Sequence, residues 1–402
     1  MTSSSPTAAI LPVIPAPRDA CCPLAPPAEF ATWRESEGLQ RASWQGKEVW
    51  MVSRYQDIKA ALVDPRLSAN TMAYSFETGP DDNVPLIFPR LDDPEHNRVR
   101  RMMTRDFTFR RADATRPQIQ ELVDHFLADM IAAGPPADLV SAFALPVPSM
   151  VICLLLGVPY EDHQFFQDSS NSALDMNCSE EERMTSQLKL FAYITELMAR
   201  KAREPGDDLM SRLVVDRVTT GQLSRETAAA TGMIMLAAGH ETTANMLALG
   251  TIALLEHPEV YRNLGTTDDP AVVANIVEEL MRYLTIVHSL IDRVAVEDLT
   301  IGGQLIRAGE TVLMNLPAGN LDPAFISRPH DFDPSRSPKG HLGFGFGVHQ
   351  CLGLNLARAE MQIAFSTLAR RLPTLRLTAP VEQLAFNNTK EIYGVSELPV
   401  AW

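Results

Sequence analysis

The chain is short of the features that would place it in several large classes. Five cysteines stand among 402 residues, at 21, 22, 153, 178 and 351, and none belongs to a CxxC pair. An odd, scattered set does not build a disulfide framework and fits a reducing cytoplasm. Basic residues are outnumbered: 35 Lys and Arg face 50 Asp and Glu, a net charge of −15. That argues against a nucleic-acid footprint, although not against a local basic patch. The apolar stretch near the start lacks a basic leader and is broken by prolines, so it reads as neither signal peptide nor membrane anchor. No internal repeat is present.

What remains is ample for a large core, with 46% hydrophobic residues. Residues 1–27, rich in Pro, Ala and Ser, read as an irregular lead-in, and 28–402 as a single domain. Residues 39–53 alternate apolar and polar around Gln45-Gly46, which predicts a β-hairpin. From about 115 to 260 the spacing is helical, and Ser179 with Glu182 forms an Ser-x-x-Glu capping pattern. Residues 293–316 and the tail return to strands and turns. The fold class is mainly α with small antiparallel β-sheets.

The longest helix is expected over Arg225 to Glu256, ending before His257-Pro258. About 30 residues at 1.5 Å each span ~45 Å, enough to cross a domain. It is apolar on nearly every face, so burial is expected. A membrane span is the rival reading, but Gly239-His240-Glu241-Thr242-Thr243 and Asn245 would be costly in lipid.

Chemistry concentrates in "GHLGFGFGVHQCLG", from Gly340 to Gly353. It has neither the GxGxxG spacing nor a Lys-Ser/Thr ending, so it is a poor phosphate loop. His349 and Cys351 are two ligands without a second pair, too few for zinc. "HETTA" in the long helix ends on Ala244 where HExxH needs His. A buried cysteine is the plain alternative for Cys351, but it leaves the surrounding glycines unexplained. They suggest a backbone that approaches a flat, bulky object. A thiolate just before a helix is favoured by that helix's free N–H groups.

The segment resembles the signature of the cytochrome P-450 superfamily, the haem-thiolate monooxygenases, Phe-x-x-Gly-x-x-x-Cys-x-Gly. Phe344, Gly347, Cys351 and Gly353 fill every fixed place. The likeness continues through Glu279 and Arg282 (Glu-x-x-Arg), Arg336 in "FDPSR", and Ala238, Gly239, Glu241 and Thr242 in "AGHET". His96 and Arg100 in "EHNRVR" and Arg293 in "IDRVAV" match further positions. The resemblance implies a triangular-prism fold with haem b between the long central helix and the Cys-loop helix. It implies Cys351 as the metal ligand, Phe344 as a shield over the sulfur, and Gly345 and Gly353 beside the haem. His96, Arg100, Arg293 and His349 would hold the propionates, and Glu279, Arg282 and Arg336 would form a structural charge cluster. Glu241 would help deliver protons. Thr242 would hold the oxygen being protonated, in a helix bent by its hydroxyl's bond to the Ala238 carbonyl.

The soluble streptomycete members are similar, and these hydroxylate polyketides, secosteroids and herbicides. The implied substrate is a medium-to-large, mostly apolar small molecule, oxidised with O₂ and electrons from a separate ferredoxin and ferredoxin reductase. Loops Ser68–Pro89, Asp168–Glu182, Ile286–Ile291 and Phe386–Lys390 are expected to line the pocket, with Phe88, Ile286, Val287, His288, Ile291 and Phe386 as candidates. For His288 a satisfied structural histidine is the first reading and a substrate hydrogen bond the alternative. Arg358 is a candidate on the ferredoxin-docking face. One departure stands out: Leu321 occupies the place of a usual arginine. A cytoplasmic monomer without nucleic-acid or membrane partners is expected. Nitric-oxide reduction, a peroxygenase or a haem sensor are the alternatives, and none needs Glu241 and Thr242 side by side.

Overall fold

The computed structural model describes residues 11–71, 87–162, 165, 169 and 179–402. Of the expected pocket loops, 72–86, 168 and 170–178 lie outside the described residues. Eleven strands are described, β1 (Val13–Ile14), β2 (Gln40–Trp44), β3 (Lys47–Val52), β4 (Leu67–Ser68), β5 (Ala137–Asp138), β6 (Asp292–Ala295), β7 (Leu299–Ile301), β8 (Gln304–Ile306), β9 (Thr311–Met314), β10 (Arg376–Leu377) and β11 (Pro399–Ala401). They form sheets of six, three and two strands, the largest in the order β1-β2-β3-β9-β6-β4.

Local chemistry sets many boundaries. Gln45 and Gly46 both have positive φ, 51° and 76°, the two-residue turn that joins β2 to β3. Helix Glu180–Arg203 opens on the full Ser179–Glu182 capping box. The central helix spans Arg225–Glu256, capped where Ser224 accepts from the Thr227 N–H, and stops where Pro258 begins the next helix. It is α-helical without a break. Helix Phe109–Ala133 starts earlier than its spacing suggests, because Thr108 caps it, and so carries Pro117 inside.

The lead-in is not wholly irregular. Val13–Ile14 pair in parallel with Ser43–Trp44. Beyond them the Arg18 guanidinium lies 3.7 Å over the Tyr393 ring, and Tyr393 donates to the Pro23 carbonyl at 2.8 Å. Pairing partners 30 residues downstream are invisible to local periodicity.

The central helix packs against helices Pro146–Leu156, Glu180–Arg203 and Leu354–Arg371, here called the proximal helix. The carboxy-terminal loop lies flush on it: a Cβ on Gly394 would sit 1.6 Å from Asn245 Oδ1. Among the described residues, no helix is long and apolar enough to cross a membrane.

Candidate active site

A cavity of about 320 Å³ opens between the central helix and the loop before the proximal helix. Its walls are mostly apolar. Cys351 faces it from one side, with Phe344, Gly345, His349 and Gly353; Ala238, Gly239, Thr242 and Thr243 face it from the other. Phe88, Ile286, Val287 and Ile291 line it as the sequence suggests.

The cysteine is placed by short-range bonds. Its N–H donates to the Phe344 carbonyl at 2.9 Å. The proximal helix begins three residues later, at Leu354. Burial pushes the Cys351 thiol up, while the Gly353 N–H and the Arg100 and Arg358 guanidiniums pull it down. Gly345 and Gly347 have positive φ, 69° and 76°. Only part of the glycine pattern serves cavity clearance. A Cβ on Gly345 or Gly353 meets nothing within 4 Å, but on Gly343 it would meet the Met281 carbonyl at 2.8 Å and on Gly347 the Leu62 carbonyl at 2.9 Å. Those two let the chain pack on itself.

On the opposite wall, Thr242 Oγ1 donates to the Ala238 carbonyl at 2.7 Å. Gly239 admits Ile152, whose side chain a Cβ would meet at 2.9 Å. Glu241 does not line the cavity. Its side chain is buried, with Oε1 3.8 Å from Lys390 Nζ. One helical step, about 100°, turns it away from the wall that holds Thr242.

Four basic side chains meet at one end of the cavity, His96, Arg100, Arg293 and His349. The His96 and His349 rings are 4.0 Å apart. Neither His96 ring nitrogen, nor His349 Nδ1, has a hydrogen-bond partner among the described residues. Asp93 Oδ1 stands 3.5 Å from His96 Nδ1. Arg100 donates to the Gln350 carbonyl at 2.6 Å, and Arg293 to the Asp292 carbonyl at 2.6 Å. Burial lowers the pKa of all four, and for His96 and His349 the neighbouring cations lower it further. His349 falls to about 3 and Arg293 to about 10. Two guanidiniums, each donating to one backbone carbonyl, beside histidines with unpartnered ring nitrogens leave donor capacity that suits an anion.

The family model for Cytochrome P450 matches residues 270–384. Cytochrome P450-SU2 of Streptomyces griseolus is 45% identical over 97% of this chain and 96% of its own. The chain belongs to the cytochrome P450 family. Vitamin D3 dihydroxylase of the same organism is 43% identical over 100% of this chain and 99% of its own. The crystal structure of a mycinamicin VIII C21 methyl hydroxylase from Micromonospora griseorubida, bound to mycinamicin VIII, superposes with a TM-score of 0.90. It is 36% identical and covers 98% of this chain and 100% of its own. The fold is therefore the P450 fold and the protein is a P450 monooxygenase. Membership implies a haem with a cysteine thiolate and O₂ as co-substrate. The basic cluster, the cavity-facing cysteine and the open sides of Gly345 and Gly353 fit a flat, dianionic macrocycle.

In this P450 the Glu279 carboxylate takes Arg282 through two bonds of 2.8 Å, both side chains fully buried, and Arg336 Nε lies 3.4 Å away. Arg282 donates onward to the Pro329 carbonyl at 2.7 Å and Asp331 at 2.9 Å, and Arg336 to Ser327 at 2.6 Å. The cluster thus laces 327–336 onto helix Pro270–Leu284. Leu321, in the arginine's place, is simply buried.

Three expectations are corrected. His288 does not reach the cavity; its Nε2 lies 3.0 Å from the Lys390 carbonyl and its ring meets Tyr393 edge-on, so it is the structural histidine. Phe386 also stays outside, stacked on Tyr393 at 5.7 Å. Arg358 is no free docking cation: Nε and Nη2 hold Glu278 at 2.6 and 2.8 Å.

Sequence reasoning missed Glu278 and Glu360, and placed Lys390 at the end of a pocket loop without its approach to Glu241. Glu360 lines the cavity from the proximal helix, its carboxyl fully buried and pushed well above the usual range by burial. It sits nine residues after Cys351 in a mostly apolar stretch, which was its only local signal.

Proposed function

We propose that this P450 hydroxylates a medium-to-large, mostly apolar small molecule, using haem b on Cys351 and electrons from a separate ferredoxin and its reductase in the cytoplasm. The observation that carries the reading is the pairing of Cys351 and Thr242 on opposite walls of one apolar cavity with a basic end. When bound, the haem supplies oxygen activation at its iron. His96, Arg100, Arg293 and His349 would hold its propionates and so fix its rotation in the cavity. Phe344 screens the sulfur from solvent.

The remaining residues control water and protons. Thr242 keeps its hydroxyl on the cavity wall through its bond to Ala238. Glu241 is the proton store behind it, delivering to Thr242 after turning from Lys390 or across a water. Phe88, Ile152, Val287 and Ile291 exclude bulk water and present an apolar surface to substrate. The relatives named for vitamin D3 and mycinamicin VIII support a polyketide, terpenoid or steroid-like substrate, or a xenobiotic of similar bulk.

Two measurements test this. The reduced, carbon-monoxide-bound protein should show the red-shifted Soret band of thiolate ligation, and Cys351→Ser should lose it. A parent band typical of histidine ligation overturns the assignment. A panel of polyketides, terpenoids and secosteroids should contain compounds that shift the haem from low to high spin; if only small polar compounds do so, the substrate class is wrong.

A further inference from the structure

We propose that Glu278 is a positioning residue for the Cys351 loop. It ties the loop at both ends and, by compensating Arg358, sets the charge around the sulfur. The inference rests on the reading of Cys351 as the haem ligand.

Glu278 sits on helix Pro270–Leu284 and is largely buried. Its two oxygens serve different parts of the chain. Oε1 accepts from Arg358 Nε at 2.6 Å; Oε2 accepts from Arg358 Nη2 at 2.8 Å and lies 3.1 Å from His341 Nε2. His341 stands at the start of the Cys loop, and its Nδ1 accepts the Gly343 N–H at 3.1 Å. That bond leaves the ring proton on Nε2, directed at the carboxylate. Arg358 stands after the loop, on the proximal helix, with its guanidinium carbon 4.7 Å over the Phe344 ring. Phe344 in turn accepts the Cys351 N–H at 2.9 Å. One carboxylate therefore reaches Phe344, and through its carbonyl the cysteine, by two routes: through His341 and Gly343, the residue before it, and through Arg358 over its ring.

The charge consequence has a definite sign. Glu278 and Arg358 form a bidentate pair, so the carboxylate offsets much of the pull that the guanidinium exerts on the sulfur across Phe344. Removing the carboxylate leaves an uncompensated cation beside the loop. Adding an electron to the iron then becomes easier. Removing the guanidinium leaves an uncompensated anion, and reduction becomes harder.

The test is a cycle of Glu278→Gln, Arg358→Gln and the double variant, read by the reduction potential of the haem-loaded protein at neutral pH. The expected result is a more positive potential for E278Q, a more negative one for R358Q, and a double variant close to the parent. A purely structural tie would move both single variants the same way, with the double at least as far. That pattern, or no shift in either, overturns the proposal. The carbon-monoxide spectrum of the parent separates the two levels. A parent without the thiolate band removes the Cys351 reading and this inference with it. A parent with the band and without opposed shifts removes only the inference. If E278Q loads no haem, Glu278→Asp, which keeps the charge, should restore loading and the parent potential; failure to do so counts against the proposal.

Discussion

Thr242 shows how one hydroxyl can have a structural bond and a chemical use at once. Its bond to Ala238 is the ordinary fate of a helical threonine, yet the same bond fixes the oxygen on the cavity wall. Thr242→Ala should leave haem loading and substrate spin shift unchanged and divert electrons from product to hydrogen peroxide. A positioned proton donor is worth about 10²–10⁴-fold in the proton-transfer step, so its loss should show as a clear fall in coupling. Equal coupling in the variant, measured as product per electron pair, would show that the hydroxyl is dispensable. The residue scale is also where sequence reading fared most unevenly. Cys351 was legible because its neighbours follow a fixed local pattern. His288 and Phe386 were not, because a side chain in a loop can face either way, and Tyr393 draws both from the cavity. Glu241 was half legible: its adjacency to Thr242 is in the sequence, its turn toward Lys390 is not.

Among elements, helices were read best where their stops are local. Ser179, Ser224 and Pro258 fix their ends by caps and by a missing N–H, so those ends could be placed from the chain alone. The strands β1 and β4 are two residues each and exist only through partners far along the chain. The helix Pro270–Leu284 was legible for Glu279 and Arg282 and opaque for Glu278, whose partners lie 63 and 80 residues away. Burial opposes ionisation of Glu278, but the bonds from His341 and Arg358 outweigh it and bring its pKa from 4.5 to about 2. A carboxylate lowered by folding stabilises the fold above its unfolded pKa, and the gain is lost as pH falls from 4.5 to about 2. At neutral pH that linkage is worth roughly 3 kcal/mol. Glu278→Gln should therefore be less stable than the parent by up to about that amount at neutral pH, and the gap should close on acidification. Urea titrations along a pH series measure it; a gap independent of pH would mean that the charge is not what stabilises.

At the level of the whole molecule, the amino-terminal segment ties the ends of the chain together. Ile14 is buried in the sheet, Arg18 covers Tyr393, and the Arg18 N–H donates to Asn388 Oδ1 at 3.2 Å. Deleting residues 1–27 removes two buried aliphatic side chains, Ile14 and Leu24, a cation–π contact, and the hydrogen bonds of Arg18 to Asn388, Tyr393 to Pro23 and Ser43 to Pro12, together roughly 7 kcal/mol. The truncated protein should melt several degrees lower. It should also lose substrate-induced spin shift, because the same segment braces the loop that carries Lys390. Retention of both properties would show that the segment is ornamental.

Gly394 carries a practical consequence. Its backbone rests against Asn245 so closely that any side chain would lift the 386–395 loop from the central helix and part Lys390 from Glu241. Attempts to retrain this enzyme on new compounds can start from Leu290 and Ile291, which face the cavity; Val287 faces it too, but its backbone bridges to Ile392 of the same loop and so belongs to that seam. Position 394 should stay glycine in any such library, because a change there alters proton supply and substrate fit together and hides which one was selected.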